Sequence, residues 1–281
     1  MYKELEFKNW NELKNFLSTL NSNWIFRGQE NYAWKLRSAI DRVDFSTEIK
    51  NPKSRYEKFC IYDFQRNPHL YNKEYNTENE FQILSLLQHY GIPTRLLDFS
   101  ASPYVSAFFV INDDDTDAAI YAINYHELLS STLHLFRSKY NDQSDAVVKY
   151  SQGNGISQNE IFKELVLGKT QRKFVEIVQP YFLFDRIIQQ NGVFLCQGDI
   201  NFEFEESLSA NHEILQNLSN CNPYYKIKIN KEWKKEITRD LFTMNITSSS
   251  LFPGIEGHLK SLKNKFEIFM EDRGSSLMQQ Q

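Results

Sequence analysis

Glycine and proline are scarce in this sequence, 10 and 7 in 281 residues, which excludes collagen-like, low-complexity and loop-dominated chains. Regular elements packed by large aromatic side chains are expected instead, because 22 Phe and 15 Tyr supply the apolar area. Three isolated cysteines, Cys60, Cys196 and Cys221, show no CxxC spacing, so neither a disulfide framework nor a zinc cluster is expected. Six scattered histidines offer no HExxH or similar spacing, and no metal is expected. There is no excess of basic charge: the formal net charge of -4 leaves no global footprint for nucleic acid. No run approaches the ~18 apolar residues of a membrane span, and MYKELEFKNWNELKNFL lacks the continuous apolar core of a signal peptide. A cytoplasmic protein with no membrane partner is expected. GxSxG, Walker and GxGxxG patterns are absent, which removes triad-hydrolase, P-loop and Rossmann chemistry.

What is present reads as one α+β domain, since 41% hydrophobic residues can bury a substantial core. Trp10, Leu13, Phe16, Leu17 and Leu20 recur at helical spacing within residues 1–23 and predict an N-terminal helix packed on the domain. Trp24-Ile-Phe26 predicts a short strand with Arg27 at its end. A helix is expected from Tyr56 to about Asn67, ending at Pro68 before a polar loop. Another follows with Thr77 and Glu80 at capping-box spacing, apolar residues at Phe81, Leu84 and Leu87, and a stop at Gly91 and Pro93. Thr94 to Phe99 reads as extended, Ser102-Pro103 as the start of a buried helix, Asp113-Asp114-Asp115 as a turn and AAIYAINY as a strand. Tyr140 to about Asn159 is polar and predicts a long surface excursion. Strands are expected near Phe174, with a bend at Pro180, and at Val193–Cys196 and YYKIKIN. Helices are expected from Lys231 to Met244 and again after SSSLFPGIEG. A domain over 24–270 and a disordered, Gln-rich tail over 271–281 complete the expectation.

Polar groups concentrate in the stretch QHYGIPTRLLDFSASP, residues 88–103. Together with Phe26-Arg27-Gly28 it resembles the FRG domain family, named for its Phe-Arg-Gly motif. Arg186 with Gln190-Asn-Gly-Val-Phe194, and Leu251-Phe-Pro-Gly-Ile-Glu-Gly257, extend the likeness over Trp24 to Leu262. The resemblance implies a single α+β domain with a mixed or antiparallel sheet, and it carries a fold more firmly than an activity.

An aromatic-Arg-Gly at an early strand followed by Ser-x-Ser also resembles the first motifs of Arg-Ser-Glu ADP-ribosyltransferases. That likeness implies an NAD-using enzyme, a bacterial or phage-related toxin or defence effector, with a nucleotide ligand and a macromolecular acceptor, protein or nucleic acid. Arg27 and Gly28 would hold the phosphates or ribose and the nicotinamide amide, with Thr94, Arg95, Ser100, Ser102 and Gln190 around the cofactor. The carboxylate facing an oxocarbenium-like centre would be Asp98 or a glutamate of the third motif: Glu205 in Glu203-Phe-Glu205, Glu176 or Glu256. His89 is a further catalytic candidate bordering the same cleft.

The same residues also admit structural roles: Arg95 and Asp98 as an ion pair, His89 on a helix C-terminus, Ser102 as a cap and Arg27 tying backbone carbonyls. The alternative activities are a metal-independent nuclease using His89, Arg95 and Asp98, and a non-catalytic nucleotide- or partner-binding sensor.

Overall fold

The computed structural model describes residues 1–45, 48–67, 79–112, 115–139, 166–167, 172–178, 185–218 and 222–278. Seven strands in these residues form one sheet: β1 (Lys3–Leu5), β2 (Trp24–Gln29), β3 (Leu96–Ser100), β4 (Ala118–Asn124), β5 (Val175–Val178), β6 (Gly192–Gln197) and β7 (Tyr224–Ile229). Their order is β1-β7-β4-β2-β3-β6-β5. The edge pair β1–β7 is parallel and the other five pairings are antiparallel, so the sheet is mixed and the fold α+β, as expected.

Strand alternation divides the core between two faces. Trp24 and Phe26 of β2 pack with Trp10 and Leu13 of α1 (Trp10–Thr19) and with Val105 and Phe108 of α4 (Pro103–Phe108). The same cluster takes in Ile237 and Leu241 of α8 (Lys234–Thr243). Ile25 points the other way, into a cluster with Tyr121, Leu128 of α5 (Tyr125–His134) and Phe204 and Leu208 of α7 (Phe204–Leu218). A third cluster joins Ile61 of α2 (Pro52–Arg66) and Phe81 and Leu84 of α3 (Glu80–His89) to Leu96, Phe194 and Cys196. Short helices α6 (Asp185–Gln189) and α9 (Ser248–Leu251) lead into β6 and into the last helix, α10 (Ile255–Met278). Each fully buried aliphatic or aromatic side chain stabilises this arrangement by roughly 1.5–3 kcal/mol.

Several boundaries differ from the sequence expectation. Strand β2 runs on to Gln29, so Arg27 lies inside it. Helix α2 starts at Pro52. Helix α3 is capped by Asn79, whose side chain accepts from the Gln82 amide at 3.0 Å; Thr77, the expected cap, lies outside the described residues, as do Pro68 and the loop after it. Strand β1 and helices α5 and α7 have no counterpart in the sequence reading. The 203–205 segment, read as a strand motif, opens helix α7. Helix α10 continues to Met278, into the stretch assigned to a tail. Asp113 and Asp114, residues 140–159, Pro180, Cys221 and residues 279–281 lie outside the described residues.

Candidate functional site

Helix α3 ends in a turn that Gly91 makes possible: at φ 82° it occupies the left-handed region, which a side chain disfavours. The Ile92 amide donates to Leu87 O at 2.9 Å and the Gly91 amide to Gln88 O at 3.0 Å, closing the helix. Gln88 is thereby held against β3. Its Nε2 donates to Leu96 O at 3.3 Å and to Asp98 Oδ2 at 3.1 Å, while its Oε1 accepts from Thr94 Oγ1 at 2.5 Å. On the far side, Asn191 at φ 49° turns α6 into β6. Ser100 Oγ donates to Gln190 O at 2.7 Å and accepts from the Ser102 amide at 3.0 Å, and Gln190 Nε2 donates to Leu251 O at 3.1 Å.

Between these two tied edges lies an open, shallow cleft whose polar lining is Ser85, Gln88, His89, Asp98, Arg186 and Gln190. Three chemical features distinguish it. Asp98 is an exposed carboxylate on a strand otherwise buried. The guanidinium of Arg186 stacks over the Phe252 ring at 4.9 Å and, among the described residues, makes no hydrogen bond or ion pair. Ser85 is 1% exposed and its hydroxyl has no hydrogen-bond partner among the described residues, a cost of about 1–3 kcal/mol that a polar ligand would relieve. Burial, and then the neighbouring Arg186 charge, hold His89 below its ordinary pKa, favouring neutral imidazole near pH 7.

Of the expected site residues, His89, Asp98 and Gln190 line this cleft. Arg95 does not pair with Asp98. It is buried against Glu57, with Nε donating to both carboxylate oxygens at 3.0 and 2.8 Å, a further Arg95 Nη2–Glu57 bond, and Nη1 donating to Gly198 O at 2.8 Å. Burial alone would lower the Arg95 pKa, but the charge and hydrogen bonds of Glu57 outweigh it and raise it. Alternation explains the mismatch. Asp98, three residues after Arg95, falls on the exposed part of β3, while Arg95 precedes the strand and turns inward. Thr94, 1% exposed, braces Gln88.

Arg27 lies opposite Tyr121 on the α5–α7 face, whereas the pairing of Phe26 with Ser100 places Asp98 and Ser100 on the other face. Its Nη1 donates to Asp98 O at 2.7 Å, so it supports the cleft from behind. Burial lowers its pKa, with Asp98 opposing that shift and Arg42 adding to it. At Gly28 a Cβ would stand 1.9 Å from Ser106 O; glycine is required there by the contact between α4 and β2 rather than by a ligand. Ser102 caps α4, accepting from the Val105 amide at 3.3 Å.

None of the candidate glutamates lines the cleft. Glu205, in the first turn of α7, accepts from Tyr2 Oη at 3.3 Å and the Leu36 amide at 3.1 Å. Glu256 is exposed on α10 and pairs with Lys260 at 2.7 Å. Glu176 is buried in β5, accepting from the Ile177 amide at 2.8 Å. Gln88, Arg186 and Ser85 were not among the expected site residues. Their signals were present: Ser85 and Gln88 lie one turn apart on α3, and Arg186 stands four residues before Gln190, at a spacing that shares a helix face.

Among the described residues no cluster of His, Cys, Asp and Glu is suited to hold a metal ion, and no helix is long and apolar enough to cross a membrane. No curated protein and no solved structure matches the chain. Residues 22–119 match the family model of the FRG domain, a span that supplies α3 and β3 to the cleft but not α6 or β6. This part of the chain, from Phe26-Arg27-Gly28 through the α3–β3 motif, is similar to the FRG domain.

Proposed function

We propose that the protein is an NAD-using enzyme of ADP-ribosyltransferase type whose reaction takes place in the cleft between α3, β3 and α6. It would act in the cytoplasm on a protein or nucleic-acid acceptor, as a toxin or defence effector does. One observation carries this reading: residues from distant motifs meet at one opening. His89, Asp98 and Gln190 line it, Ser100 holds the Gln190 carbonyl and Arg27 holds the Asp98 carbonyl.

The residues fit the chemistry of a dinucleotide's nicotinamide riboside half. Arg186 offers a planar cation to a phosphate, and the buried Ser85 hydroxyl and the Gln88 amide offer polar partners deeper in. Breaking the nicotinamide–ribose bond sends the electron pair to the ring nitrogen and leaves positive charge on the ribose. The Asp98 carboxylate oxygen not bonded to Gln88 would stabilise that charge. As the acceptor's nucleophile bonds to the same carbon, neutral His89 takes its proton.

The test is nicotinamide release from NAD by wild type and Asp98→Asn, with and without acceptors, beside chemical denaturation. Asp98→Asn is expected to lose at least about 100-fold in rate while keeping stability within about 1 kcal/mol, because the group is exposed. A wild-type protein that neither binds nor consumes NAD, yet cleaves RNA or DNA without metal, would transfer the same His89 and Arg186 to a nuclease. Binding without turnover would make the cleft a sensor.

A further inference from the structure

The turn Leu251-Phe-Pro-Gly-Ile-Glu-Gly257 meets the α6 side of the cleft at two adjacent residues. Gln190 Nε2 donates to Leu251 O at 3.1 Å, and the Arg186 guanidinium lies over the Phe252 ring at 4.9 Å. The Gln190 amide donates to Arg186 O at 3.0 Å, so the two side chains stand one helical turn apart and reach the same strip of chain. The ring is itself fixed by packing. Its centroid lies 6.3 Å from those of Phe108 and Phe109, at interplanar angles of 50° and 80°, and the Phe252 amide donates to Ser248 O at 3.0 Å. Gly254, at φ 97°, turns the chain into α10, and a Cβ at Gly257 would stand 2.0 Å from Phe252 O. The backbone that carries the ring is therefore held on both sides.

What the ring does for the cation follows from donor geometry. A flexible arginine must be held if it is to meet a ligand in one orientation. A carboxylate holds it by taking its N–H donors, as Glu57 does for Arg95. An aromatic face holds it without taking any, because the attraction is to the ring quadrupole. The one acid of the turn, Glu256, is bonded to Lys260 at 2.7 Å instead. Lys260, 5.9 Å from the same ring, is thereby neutralised, while Arg186 keeps its donors among the polar groups that line the cleft. A planar cation with its donors unspent matches the paired oxygens of a phosphate. We infer that Phe252 is the positioning residue for Arg186 and that the two make the α6 side of the cleft a subsite for the diphosphate of a nucleotide, an assignment that rests on the nucleotide reading of the cleft.

The test uses the full chain, with inorganic pyrophosphate as the probe in titration calorimetry and the His89 titration followed by proton NMR without ligand. Wild type should bind pyrophosphate, and Arg186→Gln should lose at least about tenfold in affinity. Phe252→Leu keeps an apolar side chain but no ring face, and should lose about two- to fivefold. It should also move the His89 titration upward, as Arg186→Gln does, because the cation no longer stays beside the imidazole; the charged groups that line the cleft with His89 are Arg186 of α6 and Asp98 of β3. Phe252→Tyr keeps the ring face and should hold both readouts near wild type. A residue that only packs would lower stability and leave both readouts of the folded protein where they were. Pyrophosphate that does not bind, or that binds Arg186→Gln as well as wild type, overturns the subsite. A Phe252→Leu protein with wild-type affinity and His89 titration overturns the positioning role, as do equal losses in Phe252→Leu and Phe252→Tyr. If Phe252→Leu fails to fold, Phe252→Met, closer in volume, decides in its place. Neither readout uses NAD, so a protein that binds pyrophosphate through Arg186 yet releases no nicotinamide upholds the subsite and sinks the transferase reading alone.

Discussion

Arg95 and Asp98 are three residues apart, yet the corner around the first and the cleft around the second are built on opposite rules. Arg95 is 4% exposed and Glu57 2%, and the guanidinium spends its donors on Glu57 and on backbone carbonyls from a distant turn. Asp98 is exposed, and among the described residues its carboxylate accepts one hydrogen bond, from Gln88, a residue that also holds the adjoining chain. A buried charge is tolerated only when its hydrogen-bonding capacity is filled from inside. A group kept for a ligand must leave capacity over, and so it stands where water substitutes until the ligand arrives. The QHYGIPTRLLDFSASP segment therefore performs both tasks by sending alternate polar groups in different directions.

The sharpest way to break the corner is Glu57→Gln. It leaves the Arg95 charge buried without its counter-ion and is expected to cost about 3–5 kcal/mol, read by chemical denaturation. A cost below about 1 kcal/mol would show that water reaches Arg95 and that the two regions differ less than their burial indicates. A smaller effect is expected at Gly28, where Gly28→Ala drives a methyl into the α4 backbone at Ser106. Overpacking of this kind costs about 1–3 kcal/mol. Since Gly28 does not line the cleft, ligand binding per folded molecule should be unchanged.

The smallest effect belongs to His89. Its folded-state pKa lies below that of the unfolded chain because of burial and then Arg186, so the folded state binds fewer protons between the two values. The stability tied to this difference is complete above the unfolded pKa of roughly 6.5 and is lost as pH falls through the lower folded value. Half-exposure keeps the contribution well under about 1 kcal/mol. Arg186→Gln removes one cause and should move the His89 titration upward in a proton NMR experiment, leaving the denaturation midpoint at pH 8 unchanged. A titration that does not move would separate Arg186 from His89 and weaken the case for one shared cleft.

Much of the site was legible before the fold was known. His89 was placed by helical periodicity ending at Gly91 and Pro93, Ser102 by the Ser-Pro signature of a helix start, and Asp98 by the extended reading of residues 94–99. Those signals are local, and local steric rules enforce them. Arg95 was misread because an acidic residue three positions away is an obvious partner in sequence, whereas Glu57 lies 38 residues earlier. Glu205 was misread because Glu-x-Glu spacing carries no information about whether the chain is helix or strand. Strand β1, with three residues and no apolar alternation, becomes a strand only by pairing with β7.

The amino-acid pattern by itself determined the α+β class, the helix stop that presents Gln88 and His89, and the family resemblance carried by Phe26-Arg27-Gly28 and the α3–β3 motif, because period, caps and turns are settled within a few residues. Only the tertiary structure decided which charges are spent and which remain. Burial and partner choice depend on chain segments that meet across the sheet: Glu57 reaching Arg95, and Arg186 arriving beside His89.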